Sequence, residues 1–259
     1  MMRIATLQMQ SISGDVQANL ARIERAAAEA TRGGAELLVA PELCVTGYGA
    51  GEAIPALAET ANGIGIRGLR DISSTAGIAV VAGFAERDGA DIYNSAAFIN
   101  RDAVPVIYRK SHLFGAYERS LFKPAKPGNC IIDMGGLKLG LLICYDVEFP
   151  ENVRRLAMAG VDAVLVPTAL PAGPSGTFIA SHMIQTRAFE NQVFVAYVNH
   201  AGADERFTFA GQSRVAAPDG SLIAVCTDDQ EHLMFADIDP AAFAASIAGN
   251  PYLKDLGSA

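Results

Sequence analysis

The chain has 259 residues, 51% of them hydrophobic, and a formal net charge of -8. That length supports one large or two small domains with a substantial core. The acidic balance excludes a nucleic-acid binder, because no basic stripe exists to neutralise phosphates. The opening MMRIATLQMQ enters strand-like sequence without a basic lead, an apolar run or a small-residue cleavage site, so no signal peptide is expected. No apolar run reaches the roughly 18–20 residues that cross a bilayer, and a cytoplasmic protein with no membrane partner is expected. Cys44, Cys130, Cys144 and Cys226 form no CxxC pair, and His112, His182, His200 and His232 show no HExxH spacing. Neither a disulfide framework nor a metal is therefore expected.

In chain order, residues 3–10 read as a strand. Residues 15–32 have helical periodicity, with Asp15 as N-cap and Gly33-Gly34 ending the pattern. A strand (ELLVAPE, 36–42), a helix near 63–76 and a strand (78–86) follow, then two β segments at 94–102 and 104–110. The second half repeats the order: a strand (LKLGLLICYD, 137–146), a helix opening at PENVRRLAMAG, a strand (162–170), a helix near 176–191, and strands at 193–202 and 211–226. Buried runs such as LLICY and AVLVP lack polar alternation, as strands covered on both faces do.

Two halves with one β-α-β-α-β-β order predict a single α/β domain over residues 1–259, a four-layer αββα sandwich of two similar mixed sheets. A conventional three-layer parallel sheet is the alternative. Residues from about 240 are weakly patterned and read either as an arm packing on a partner subunit or as a loose tail. Gly63, Gly65 and Gly68 spell GxGxxG, but the motif follows a helical or loop stretch rather than a strand. It reads as a glycine-rich helix entry, not a nucleotide site.

Three polar residues close three apolar or β-like runs: Glu42 after LLVAP, Lys110 after VPVIYR and Cys144 after GLLI. Ligands of open α/β sheets bind at such strand ends. A thiol is nucleophilic as thiolate, which a lysine ammonium favours. A carboxylate in the same cleft can take the thiol proton and hand it to a leaving amine. An ammonium and a backbone N–H can hold an oxyanion. Together these parts describe acyl transfer. Read one at a time, the same residues are a core filler, a solvated edge charge and a surface turn residue, and pattern alone does not decide between the readings.

The segments VAPELCVTGY, YRKSHLFGAYERSLF and LLICYDVEFPENVRRLAMAGVDAVLVPTAL resemble the three signature blocks of the nitrilase superfamily of carbon–nitrogen hydrolases. RAFENQVFVAYVN and FAGQSRVAAPDG resemble its downstream pattern, so the likeness covers nearly the whole chain in order. The resemblance implies an αββα sandwich paired into a homodimer or higher homo-oligomer, with no cofactor. It implies Cys144 as nucleophile, Glu42 as general base and acid, and Lys110 as stabiliser of the tetrahedral intermediate, with the Tyr145 backbone N–H completing an oxyanion hole. Glu118 matches a second glutamate that positions substrate and water in many members; a loop charge paired with Arg119 is the alternative. Tyr48, in the first block, is assigned with Glu148 to substrate binding. Ala125 stands where a glycine is usual. Cys44, Cys130 and Cys226 read as packing, and Asp146 as a cap of the following turn.

True nitrilases are typically longer and commonly follow the nucleophile with Trp-Glu. Tyr145-Asp146 and the compact length resemble instead the amidase and carbamoylase branches. Branches that grip a substrate carboxylate place arginine at the next two positions, where this chain has Val147 and Glu148. A small neutral or cationic carboxamide, hydrolysed with water to carboxylate and ammonia, is the expected substrate, and ICYDVEFPENVR resembles bacterial stereoselective amidases. Glu148 in solvent, or paired with Arg154 or Arg155, is the alternative. The competing functions are an N-carbamoyl amine hydrolase, a nitrilase and a non-catalytic interaction module.

Overall fold

Strands that are apolar on both faces need cover on both sides, and the chain supplies it with two sheets packed face to face and helices outside. The computed structural model describes residues 1–257. Its first half runs β1 (Met2–Gln8), α1 (Val16–Arg32), β2 (Leu37–Val39), the 3-10 turn Tyr48–Ala53, the single turn α2 (Ile54–Leu57), α3 (Ile64–Ala76), β3 (Ala79–Asp88), β4 (Asp91–Ile99), β5 (Val106–Arg109) and α4 (Gly115–Leu121). The second half runs β6 (Ile131–Met134), β7 (Leu137–Leu141), the 3-10 turn Cys144–Glu148, α5 (Pro150–Met158), β8 (Ala163–Pro167), α6 (Pro174–Phe178), a π-helical turn (Ile179–Met183), α7 (Ile184–Asn191), β9 (Phe194–Val198), β10 (Arg214–Ala216) and β11 (Leu222–Val225). The chain closes with β12 (His232–Ile238), α8 (Ala244–Gly249) and α9 (Tyr252–Gly257).

The sheets have the orders β12-β1-β2-β3-β4-β5 and β6-β7-β8-β9-β10-β11. In each, the first pair is antiparallel, the next two are parallel and the last two antiparallel. This is the expected four-layer sandwich of two similar mixed sheets. Its repeat includes two strands the sequence reading passed over. β6 is four residues long, and β12 is largely half-exposed with an exposed start and a charged residue near its end. Edge strands of that kind carry little periodic signal. Since β12 pairs with β1, the two chain ends share one sheet edge.

Met2, Ile4, Val39 and Val81 of the first sheet meet Leu139, Leu141 and Leu165 of the second in the central core. Ala5, Leu7, Leu38 and Val80 face the opposite way, onto Leu20, Ile23 and Leu69 of α1 and α3. Cys44 is buried in that second layer, as packing. Asp15 caps α1 as expected, its Oδ1 accepting from Ala18 N at 2.9 Å. The GxGxxG stretch is a helix entry whose amides are already taken, since the Glu59 carboxylate accepts from Gly65 N (3.0 Å) and Ile66 N (2.9 Å). Residues 240–257 form a 3-10 turn and two short helices, where Phe243 meets Phe194 and Tyr252 meets Phe189 edge-on, and residues 258–259 lie outside the described residues. Among the described residues no helix is long and apolar enough to cross a membrane.

One close approach fixes where the first functional loop lies. After β2 the chain crosses β3 at Gly83, whose N donates to Pro41 O (3.0 Å) and whose O accepts from Val45 N (3.1 Å). A Cβ on Gly83 would stand 2.1 Å from Leu43 N and 2.7 Å from Glu42 Cα. Because both obstacles are backbone, neither can swing away. Gly83→Ala should therefore lower the unfolding free energy by about 1–3 kcal/mol, read from the urea midpoint, and displace the Glu42 loop.

Candidate active site

The second half of the LGLLICYD run is not strand. β7 stops at Leu141, and Cys144 opens a 3-10 turn with φ +44°, in the left-handed region that non-glycine residues rarely enter. Leu43, next to Glu42, is also left-handed at φ +48°. Sharp turns thus lift both side chains off their strands, while Lys110 follows β5 directly.

The three come together with Glu118. Lys110 Nζ donates to Glu42 Oε1 at 2.6 Å and to Glu118 Oε1 at 2.7 Å. Glu42, Glu118 and Lys110 are 0%, 0% and 1% exposed. Asn94 Nδ2 also donates to Glu42 Oε1 (2.6 Å), whereas Glu42 Oε2 has no hydrogen-bond partner. Glu118 accepts from Tyr48 Oη (2.8 Å) and from Phe114 N (2.9 Å). Its partner is therefore Lys110, not Arg119. Tyr48 sits behind Glu118 among the rings of Tyr117, Phe207 and Phe209 rather than lining the cavity.

Burial sets the protonation of this group. It pushes Glu42 up to about 7, with the Glu118 charge adding to it and Lys110 and Asn94 pulling back. Burial opposes the Lys110 ammonium, yet Glu118, Glu42 and Cys144 outweigh it and raise its pKa. Burial likewise lifts the Cys144 thiol well above its ordinary value, helped by the charge of Glu42. Lys110 and the Ala169 backbone amide pull the thiol down, but not enough. The pull of Lys110 toward thiolate is present as expected, but burial outweighs it and leaves the thiol raised overall.

Cys144 lines a cavity of about 440 Å³ with Phe114, Tyr145, Glu148, Leu170 and the 171–176 loop. Tyr145 is the second residue of its 3-10 turn, where a backbone N–H has no acceptor within the turn. Glu148 ends the same turn. Its carboxylate faces the cavity without a hydrogen-bond or ion-pair partner among the described residues, and burial pushes it up to about 7 against Lys110 and Arg187. Arg187 grips the backbone instead, donating to Val147 O (3.0 Å) and Glu148 O (2.7 Å). Arg155 is engaged by Asn129 and Asn152.

Asp146 does more than cap a turn. Its buried carboxylate accepts from Ser111 Oγ (2.7 Å), His112 N (2.9 Å), Tyr108 Oη (2.9 Å) and Ile143 N (3.3 Å). It thereby stitches the strand end carrying Lys110 to the turn carrying Cys144, across two sheets. Asn94 and this role of Asp146 escaped the sequence reading; the available signal was a polar residue inside an otherwise apolar run. Away from the cavity, Cys226, Asp228 and His232 hold potential ligand atoms within 4.8 Å of one another. Gln8 Nε2 already donates to that sulfur at 3.2 Å, and His232 Nε2 lies 2.9 Å from Asp228 Oδ1, so the group is satisfied from within the chain.

A two-sheet αββα sandwich is the fold of the nitrilase superfamily. The profile of the carbon-nitrogen hydrolase family matches residues 3–247, and the chain belongs to that family. It is a hydrolase acting on carbon–nitrogen bonds, with amidases among its relatives. It is 35% identical over 258 residues to an (R)-stereoselective amidase of Pseudomonas sp, covering 98% of this chain and 91% of the relative. A protein described as "Hydrolase in pqqF 5'region", from Pseudomonas protegens, is 44% identical over 260 residues (98% and 88%). Among solved structures, an amidase of Nesterenkonia AN1 from the nitrilase superfamily superposes with a TM-score of 0.88 at 33% identity, covering 98% of this chain and 94% of that one.

Replacing the Asp146 acceptors with an amide turns an N–H₂ toward donors. Asp146→Asn should cost about 2–3 kcal/mol of stability in urea unfolding and lower kcat at least about tenfold with little change in KM, since it loosens alignment rather than binding.

Proposed function

We propose that the protein is a cysteine-dependent amidase that hydrolyses a small neutral or cationic carboxamide to carboxylate and ammonia through a thioester. The observation that carries this reading is the buried Glu42–Lys110–Glu118 cluster beside the cavity that holds the protonated Cys144 thiol. Glu42 Oε2, the carboxylate oxygen without a partner, takes the thiol proton. The thiolate attacks the amide carbon. The Lys110 ammonium and the Tyr145 N–H hold the oxyanion. The C–N bond breaks as Glu42 returns its proton to nitrogen, ammonia leaves, and a thioester remains. Glu42, aided by Glu118, then activates water, which attacks the thioester. The C–S bond breaks, the acid is released and the thiol is reprotonated from Glu42. Tyr48 acts on substrate only through Glu118.

The amidase of Nesterenkonia AN1 supports the nucleophile assignment. A variant of it shows covalent addition of the acetamide moiety of fluoroacetamide at the active-site cysteine, and a cysteine-to-alanine variant is in complex with butyramide. The unpartnered Glu148 carboxylate supports a cationic acyl group, because it repels a substrate carboxylate and attracts an amine. The reading keeps the single catalytic domain, the homo-oligomer and the cytoplasmic setting expected from the sequence.

An ammonia-release assay over amides, N-carbamoyl amines and nitriles tests the reaction class. Amides should turn over best, and Cys144→Ala should lose at least about 10³-fold in kcat while unfolding at the wild-type midpoint. Activity retained by that variant, or turnover confined to another class, would sink the reading.

The pH profile separates the two carboxyl groups that titrate near neutrality. Glu42 must be ionised to accept the thiol proton, so kcat/KM should fall about tenfold per unit below its pKa of about 7. Glu148→Gln should keep this limb, yet lose about 10–100-fold in kcat/KM on amides bearing an ammonium group and only about threefold or less on neutral ones.

A further inference from the structure

The loop that carries Glu42 belongs to the first sheet, but its peptide is held from the second. His200, two residues beyond β9 and 1% exposed, places Nε2 2.6 Å from the Glu42 backbone carbonyl oxygen. Its Nδ1 lies 3.1 Å from Ser11 Oγ. A carbonyl oxygen only accepts, so Nε2 bears the proton and Nδ1 the lone pair, to which the Ser11 hydroxyl donates. Burial pushes the imidazole down to about 4, against the pull of the Glu42 carbonyl and of Asp204, so the ring is neutral near pH 7. Its backbone is fixed as well: His200 N donates to Asn199 Oδ1 (2.8 Å), and Ala201 N donates to Met9 O (2.9 Å) at the end of β1.

The bond acts on a peptide with little slack. Leu43 follows in the left-handed region at φ +48°, a conformation that persists in a leucine only when its surroundings impose it. Gly83 presses on the same peptide from one side. Lys110 and Asn94 hold Glu42 Oε1, so the orientation of the main chain bears directly on where Oε2 points. We propose that His200 is a positioning residue for the base: its Nε2–H locks the Glu42–Leu43 peptide and keeps Glu42 Oε2 turned toward the Cys144 thiol. The proposal rests on the reading of Glu42 as base.

The test is a double-mutant cycle read by the rate of Cys144 alkylation with iodoacetamide, followed by intact mass at pH 7, alongside steady-state kinetics. Glu42→Gln alone should slow alkylation at least about 10²-fold, having removed the base. His200→Phe should slow it about tenfold, lower kcat by a similar factor, leave KM within about threefold and move the acid limb of kcat/KM. The Glu42→Gln/His200→Phe double variant should react no more slowly than Glu42→Gln, because His200 acts only through that residue. His200→Gln, which keeps a donor at the ε position, should return to within about threefold of the wild type.

An unaltered alkylation rate in Glu42→Gln overturns the base reading itself. Slow alkylation there, combined with an additive effect of His200→Phe, overturns the positioning role alone. So does a His200→Gln variant that melts with the wild type but reacts as slowly as His200→Phe. Should His200→Phe fail to fold, His200→Ala carries the same cycle: slow alkylation in His200→Ala with no further loss in Glu42→Gln/His200→Ala beyond that of Glu42→Gln supports the proposal, and an additive loss, or a wild-type rate in His200→Ala, counts against it.

Discussion

Everything at this site follows from one buried ammonium held between two carboxylates. Lys110, Glu42 and Glu118 lie within 2.7 Å contacts and out of reach of water. Two negative groups share one positive group, so the cluster cannot be neutral while both carboxylates are ionised. The excess falls on Glu42, whose Oε1 carries both its hydrogen bonds and whose Oε2 is free. Burial raises the Glu42 carboxyl to about 7, and the neighbouring Glu118 charge adds to the rise. Such a cluster is no aid to stability in itself. Taking its ions out of water costs several kcal/mol each, repaid only while all partners are present. Tyr48 adds a donor to Glu118 and Asn94 adds one to Glu42 Oε1.

Precision between the members comes from the way the sheets are joined. Glu42 and Lys110 arise from the first sheet and Cys144 from the second, so their spacing is a property of the sandwich and of no single element. Two polar stitches cross the gap. Asp146 ties the Cys144 turn to the residues after β5, and His200 ties the end of β9 to the Glu42 carbonyl. Both turns hold a non-glycine residue in the left-handed region, which costs about 1–3 kcal/mol apiece unless the surroundings compensate. The stitches are that compensation, and the core packed between the sheets keeps them in register.

One wall of the cavity carries Cys144; another is the apolar 170–174 loop, with a single half-buried carboxylate at Glu148. Because Arg187 spends its guanidinium on the backbone of Val147 and Glu148, the Glu148 side chain is left for whatever enters.

Much of this was legible in the chain itself. Apolar runs without polar alternation, repeated in one order, dictate two doubly covered sheets, and the blocks around Glu42, Lys110 and Cys144 identify the family. Periodicity reports burial, so it found the central strands and missed β6 and β12, whose half-exposed edges have little period to read. It also ran the Cys144 strand five residues too far, to 146 rather than 141, because a left-handed turn leaves no mark in hydrophobicity. Tertiary structure alone decided that Tyr48 backs Glu118, that Asp146 and His200 are stitches, and that Glu148 faces the cavity unpaired. Those facts depend on which side chains distant in sequence meet in the fold, and on how burial there raises the pKa of the Cys144 thiol and of the Glu42 carboxyl group.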